Sequence, residues 1–190
     1  MIEDGDIAVL QFSGGRDSIA TLLYCKPYLD RITVMFLDTG SVMPEVEKTI
    51  EWARSISPNF VRVRTDSASV IAQYGIPSDI VPVWKSGVGA EVSSCESQRV
   101  ISSLDCCWHN LIKPMQDATE RMGATLIIRG QRKAERMKSP VSSGYQLNGM
   151  RLWFPLEDWS DIEVNGYVAE HGIELPEWYK YGDKGFDCWH

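Results

Sequence analysis

Six consecutive residues, Ser13-Gly14-Gly15-Arg16-Asp17-Ser18, combine two glycines, two hydroxyls, a guanidinium and a carboxylate. Glycine lets the backbone turn tightly and lets a ligand approach the main chain. Amides that follow such a turn face an anion when a helix begins there. The first N–H groups of a helix lack partners, and that end of the helix is electropositive. Ser13 and Ser18 add hydroxyl donors, and Arg16 adds a planar cation matched to phosphate oxygens. The chemistry implied is a cradle for pyrophosphate. The Gly-x-x-x-x-Gly-Lys-Ser/Thr spacing of a P-loop is missing, so the cradle is of another kind.

Two further groups sit at the ends of apolar runs. Asp38-Thr39-Gly40 follows Ile32 to Leu37 directly. Asp38 there holds a ribose or a magnesium ion, or it only caps the next turn. The run Leu126 to Ile128 leads into Gly130-Gln131-Arg132-Lys133-Ala134-Glu135-Arg136-Met137-Lys138. With Arg129, this segment concentrates positive charge in a chain whose formal net charge is -7. Such a cluster attracts anionic ligands and neutralises phosphate or sulfate. A solvated basic loop is the plainer alternative.

The five cysteines are Cys25, Cys95, Cys106, Cys107 and Cys188. An odd number with one adjacent pair suits a reducing compartment and metal or redox chemistry better than a disulfide framework. Adjacent cysteines bridge each other only with strain. They can bind different irons of one cluster, which needs about four such ligands. Cys25, in an apolar helical run, is expected in the core.

The elements that carry these residues follow from pattern. Asp6–Phe12, Arg31–Leu37, Asn59–Arg64 and Ala124–Ile128 read as strands. Asp17–Tyr24, Pro44 to about Ser55, Ser67–Tyr74, a stretch through the cysteine pair, Pro114–Met122 and Asp161–Glu170 read as helices. Strands alternating with helices predict a parallel sheet covered on both faces. The cradle and Asp38 then line one crevice beyond the carboxyl ends of the first two strands. Ile76 to Ser97, with Pro77, Pro82, Gly87 and Gly89, reads as a long excursion of the functional kind. Ser139 to Gly149 reads as a flexible loop or hairpin, and the part from about residue 139 onward is irregular.

With 190 residues and 44% hydrophobic content, one domain over 1–190 is expected. The acidic balance argues against a chain-wide nucleic-acid footprint. No apolar run reaches membrane-spanning length. The acidic Met1 to Asp6 lacks the pattern of a targeting peptide, so a cytoplasmic location is expected.

The cradle resembles the PP-loop of the adenine-nucleotide α-hydrolase superfamily, Ser-Gly-Gly-x-Asp-Ser. Phe36-Leu37-Asp38-Thr39-Gly40 with Pro44-Glu45 is similar to the adenosine-supporting segment of sulfonucleotide reductases and the ATP sulfurylase small subunit. Gly130-Gln131-Arg132 with Glu135 resembles the Gly-x-Arg-x-x-Glu-Ser block of the same enzymes, with Arg136 in place of serine. Pro155-Leu156-Glu157-Asp158-Trp159 resembles their Pro-Leu-x-Asp-Trp block, which looks structural. Cys106-Cys107 followed by Lys113-Pro114-Met115 resembles the cysteine-pair segment of adenylyl-sulfate reductases, which bind a [4Fe-4S] cluster. Their second pair is Cys-x-x-Cys near the C-terminus, where this sequence has Cys188-Trp189-His190.

This order of blocks resembles the phosphoadenosine phosphosulfate (PAPS) reductase family. The resemblance implies an α/β domain with a mostly parallel, five-stranded sheet. It implies an adenine nucleotide, adenylyl sulfate or ATP, bound by Ser13, Gly14, Gly15, Arg16, Asp17, Ser18, Asp38, Thr39, Gly40, Gly130, Arg132 and Arg136. Cys106, Cys107 and Cys188 are the cluster residues it implies; either Cys95 or His190 substitutes for the fourth ligand or no cluster forms, and a thiol reductant protein is the implied partner. Family reductases use a nucleophilic cysteine on a C-terminal tail, for which this sequence offers no match, and the complete cradle is what ATP users need. An ATP pyrophosphatase that adenylates DNA, tRNA or a small molecule is therefore the alternative, and a non-catalytic nucleotide-binding regulator is a third reading.

Overall fold

Apolar residues on both faces of a strand demand cover on both faces, and the first strands have them. In the computed structural model, which describes residues 1–40, 42–77, 100–135 and 140–180, β1 is Ala8–Phe12 and β2 is Ile32–Asp38. Along β1, Ala8, Leu10 and Phe12 enter one apolar cluster and Val9 enters another. Ile32, Val34 and Phe36 of β2 join the first cluster and Met35 the second. The period of two thus splits each strand between two buried layers.

The remaining strands are β3 (Phe60–Arg64), β4 (Ile76–Pro77), β5 (Val100–Ile101), β6 (Leu126–Ile128), β7 (Gln146–Leu147) and β8 (Met150–Trp153). The main sheet runs β3-β2-β1-β6-β8-β7, and β4 pairs with β5 apart from it. Strands β3, β2, β1, β6 and β8 are mutually parallel, and only β7 is antiparallel. The sheet is mostly parallel, as expected, but has six strands rather than five, the short antiparallel edge strand being one of them. Leu147 pairs with Met150 across Asn148-Gly149, whose φ angles are 51° and 79°. That is the left-handed pair that a two-residue hairpin turn needs. The hairpin is formed by β7 and β8, so its second strand lies beyond the Ser139 to Gly149 stretch that the sequence marks as loop or hairpin.

The α-helices among the described residues are α1 (Arg16–Tyr24), α2 (Pro44–Ile56), α3 (Ser67–Tyr74), α4 (Ser103–Cys107), α5 (Lys113–Arg121) and α6 (Asp161–Glu170). Residues of α1, α2 and α6 pack in the first cluster, and Ala118 of α5 packs in the second. The sides follow from handedness. The steps β1 to β2 and β2 to β3 move one way across the sheet, and β6 lies on the other side of β1. Right-handed crossovers then put α1 and α2 on one face and α5 on the other. The gap between β1 and β6 is the switch in strand order, where open α/β sheets bind ligands.

Helices α4 and α5 are joined through a π-helical stretch, Trp108–Ile112. Pro114 has no N–H, so the Asn110 carbonyl loses its α-helical donor. The Thr65 hydroxyl lies 3.3 Å from that oxygen and 3.4 Å from the Asp38 carbonyl. The cysteine-pair helix is thereby tied to the end of β3.

Candidate functional site

The cradle closes on itself by hydrogen bonds. Gly14, at φ 81°, makes the turn after β1. The Gly15 N–H donates to Ser13 Oγ (3.3 Å), the Ser13 hydroxyl to Ser18 Oγ (3.2 Å), and the Ser18 hydroxyl to the Gly15 carbonyl (2.8 Å). A Cβ at Gly14 would lie 2.8 Å from Val46 Cγ1, so α2 packs onto the turn. The Arg16 N–H, at the start of α1, donates to the Tyr179 hydroxyl at 3.0 Å. Tyr179 comes from a 3-10 turn, Glu177–Lys180, far along the chain. Its oxygen meets the amide that the sequence assigned to a phosphate. Nothing in the motif announced Tyr179, because its partner is 163 residues away.

The charged residues of the motif face inward. Arg16 is 4% exposed; its guanidinium donates to Asp161 Oδ1 (2.6 Å), Asp17 Oδ1 (3.3 Å) and Asn165 Oδ1 (3.4 Å). Arg132, also buried, donates to Asp17 Oδ1 (3.0 Å), Asp17 Oδ2 (3.3 Å), Asp161 Oδ1 (2.7 Å) and the Trp159 carbonyl (3.1 Å). Glu135 accepts from the Arg132 N–H at 3.1 Å. Burial first, and then the charge of Asp17, push the Glu135 carboxyl above its ordinary value. The Arg132 hydrogen bond holds the Asp161 carboxyl below its own. Arg16 and Arg132, expected as cations for phosphate oxygens, are here the inner members of a clamp. It binds the cradle, the loop after β6 and the start of α6. Gly130 belongs to the same junction. A Cβ there would sit 2.7 Å from the Asp17 carbonyl oxygen, which no flexible side chain can relieve.

Asp38 ends β2 and is buried. Its Oδ1 accepts from the Gly40 N–H at 2.8 Å, and its Oδ2 accepts from Arg62 Nε at 2.9 Å. Arg62 also holds Glu47 of α2. Of the readings set out for Asp38, the geometry displays the turn cap, with an ion pair added to it. Thr39 is buried, and its carbonyl accepts from the Ser67 hydroxyl at 2.8 Å. Gly40, at φ 90°, completes the turn. Arg136 lies outside the described residues.

Cys106 is buried and Cys107 half-exposed. The Asn110 side chain donates to Cys106 Sγ at 3.4 Å and to its carbonyl at 3.2 Å. Asn110 Oδ1 is buried with no partner. Cys95, Cys188 and His190 lie outside the described residues. Among the described residues no three metal-ligating side chains gather. Cys106 and Cys107 supply two of the four or so thiolates that a cluster needs. Burial pushes the Cys25 thiol up to about 12, so it is an inert core residue just past the end of α1, buried as the sequence predicts. No helix among the described residues is long and apolar enough to cross a membrane.

A family model described as phosphoadenosine phosphosulfate reductase domain matches residues 7–190. A phosphoadenosine 5'-phosphosulfate reductase of Vibrio vulnificus (strain YJ016) is 26% identical over 182 residues, 92% of this chain and 62% of that protein. An uncharacterized protein of Methanocaldococcus jannaschii is 23% identical over 184 residues, 93% of this chain and 38% of that protein. The chain thus spans less than two thirds of the length of these curated relatives. A crystal structure of phosphoadenylyl-sulfate (PAPS) reductase from Candida auris, a phosphate complex, superposes with a TM-score of 0.67 at 17% identity. That alignment covers 98% of this chain and 83% of the other, and it shows the shared fold. The chain belongs to the phosphoadenosine phosphosulfate reductase domain family.

Proposed function

We propose that the protein binds an adenine nucleotide across the carboxyl ends of β1, β2 and β6 and cleaves its sulfate or phosphate linkage as an enzyme of sulfur metabolism. The observation that carries this reading is the cradle. A glycine turn leads from β1 into α1 at the switch in strand order, with main-chain amides at the helix start. Family membership favours a sulfonucleotide such as adenylyl sulfate or PAPS. In that reaction a thiolate attacks sulfur, the bond from sulfur to the bridging oxygen breaks, and the nucleotide leaves with that oxygen. A second thiol then releases sulfite and leaves a disulfide, so a dithiol donor supplies the two electrons. The chain's own part is to hold the phosphate through the amides near Gly15 and Arg16, and to stabilise the charge that grows on the departing oxygen.

The complete Ser-Gly-Gly-x-Asp-Ser cradle favours a second reading, ATP adenylation of an acceptor with release of pyrophosphate. A [4Fe-4S] cluster, where the chain holds one, takes Cys106 and Cys107 from the described residues. A thiol reductant protein belongs to the first reading, and nucleic acid only to the second. Incubation with ATP, adenylyl sulfate and PAPS, each with a dithiol, separates the readings. Sulfite supports the first and pyrophosphate the second. Nucleotide binding with neither product leaves the protein a binding module.

A further inference from the structure

A nucleotide bearing several negative charges needs positive potential at its site, yet Arg16 and Arg132, the motif arginines among the described residues, are already paired. The clamp holds Arg16 and Arg132 against Asp17, Asp161 and Glu135. At the β2 turn, Arg62 and Arg64 face Asp38 and Glu47. Each group is neutral or acidic in balance. Lys133, exposed, pairs with Asp158 at 2.6 Å.

Arg129 differs from all of these. It follows β6 directly, and its N–H donates to the Trp153 carbonyl at 3.1 Å, extending the β6–β8 pairing by one residue. Its Nε donates to Gln11 Oε1. Leu10 is registered with Ile128, so Gln11 and Arg129 are the next cross-strand neighbours, at the gap between β1 and β6. Alternation puts both on the face opposite α1, since Leu10 and Ile128 belong to the α1-side cluster. Gln11 and Arg129 are each only half-buried, so part of the pair reaches the surface beyond the ends of β1 and β6. Arg129 has no carboxylate partner among the described residues. Its burial lowers its basicity with no compensating charge. A desolvated cation held by a single neutral amide is unfavourable unless an anion meets it.

We infer that Arg129, oriented by Gln11, is a ligand for a tetrahedral oxyanion of the bound nucleotide. This rests on the nucleotide-binding reading above and deepens it. The cradle amides take one oxyanion from the α1 side of the sheet, and Arg129 takes another from the opposite side. The forked guanidinium supplies two parallel donors to that oxyanion.

Calorimetry with adenosine 3',5'-bisphosphate tests this, with AMP and adenosine alongside. Arg129→Met loses affinity for the bisphosphate by about ten-fold or more, the range expected for a charge-assisted hydrogen bond. Adenosine binding is unchanged, and Arg129→Lys, which keeps the charge but loses the fork, recovers only part of the affinity. A second measurement uses the unaltered chain, so it does not depend on a variant folding. Phenylglyoxal labels Arg129, the bisphosphate shields it, and Arg16 and Arg132 resist labelling throughout. Bisphosphate binding by Arg129→Met within about two-fold of the parent overturns the assignment. So does unshielded labelling at Arg129 under saturating bisphosphate. In either case the cradle reading stands if the parent still binds. A parent that binds no adenine nucleotide removes both.

Discussion

Tyr179 and the two buried arginines show how single groups alter a motif's meaning. The Tyr179 hydroxyl accepts a hydrogen bond from a cradle amide, so a phosphate oxygen that uses the amide must displace it. Tyr179→Phe removes the competitor and leaves the ring. Affinity for AMP is expected to rise by about five-fold, the equivalent of one net hydrogen bond. A fall in affinity, read by calorimetry, would make the hydroxyl a nucleotide ligand instead. Asp161 and Glu135 contribute to the pH dependence of stability with opposite signs. Asp161 is depressed, so its contribution to stability is present above the unfolded carboxylate value, about 3.9, and is lost as pH falls through the lower folded value. Glu135 is raised, so its ionisation opposes folding as pH climbs from the unfolded value, about 4.3. In urea midpoints measured across this range, Asp161→Asn should flatten the acid limb. Glu135→Gln should remove the decline on the other side.

Between elements, contact distance sets the tolerance. The loop after β6 meets α1 backbone to backbone at Gly130, with Asp17 bridging to Arg132 just beyond. Gly130→Ala forces the loop off α1 and should destabilise the fold by about 1–3 kcal/mol, as overpacking does. Because the same shift opens the clamp beneath the cradle, nucleotide affinity should fall with it. Thermal melts and calorimetry on one preparation check both. An unchanged melt would mean that loop and helix are not rigidly joined. The hairpin before β8 was within reach of sequence reasoning, since Asn148-Gly149 is a strong two-residue turn signal. The strand after it was harder to see. Met150–Trp153 is short, its burial alternates, and Arg151 interrupts its apolar run.

Across the molecule, Thr65 joins the cysteine-pair helix to the turn after β2, lying against both Asn110 and Asp38. If Cys106 is a cluster ligand, Cys106→Ser should abolish iron and acid-labile sulfide in anaerobically purified protein while nucleotide binding persists. Iron retained at the parent's level would remove Cys106 from the ligand set.

Local pattern determined a great deal by itself. Glycine spacing marked the cradle, apolar runs located four of the five parallel strands, helix signals placed Asp161–Glu170 to the residue, and the order of blocks pointed to the family. Those features depend on neighbours within a few positions. Which charges remain available to a ligand is a different kind of fact. Arg132 meets Asp17 across 115 residues and Arg16 meets Asp161 across 145. Two cations that look like phosphate ligands in the linear motif are neutralised once the chain closes. Coulomb and hydrogen-bond partners are chosen by distance in space, and only tertiary packing brings those carboxylates within reach.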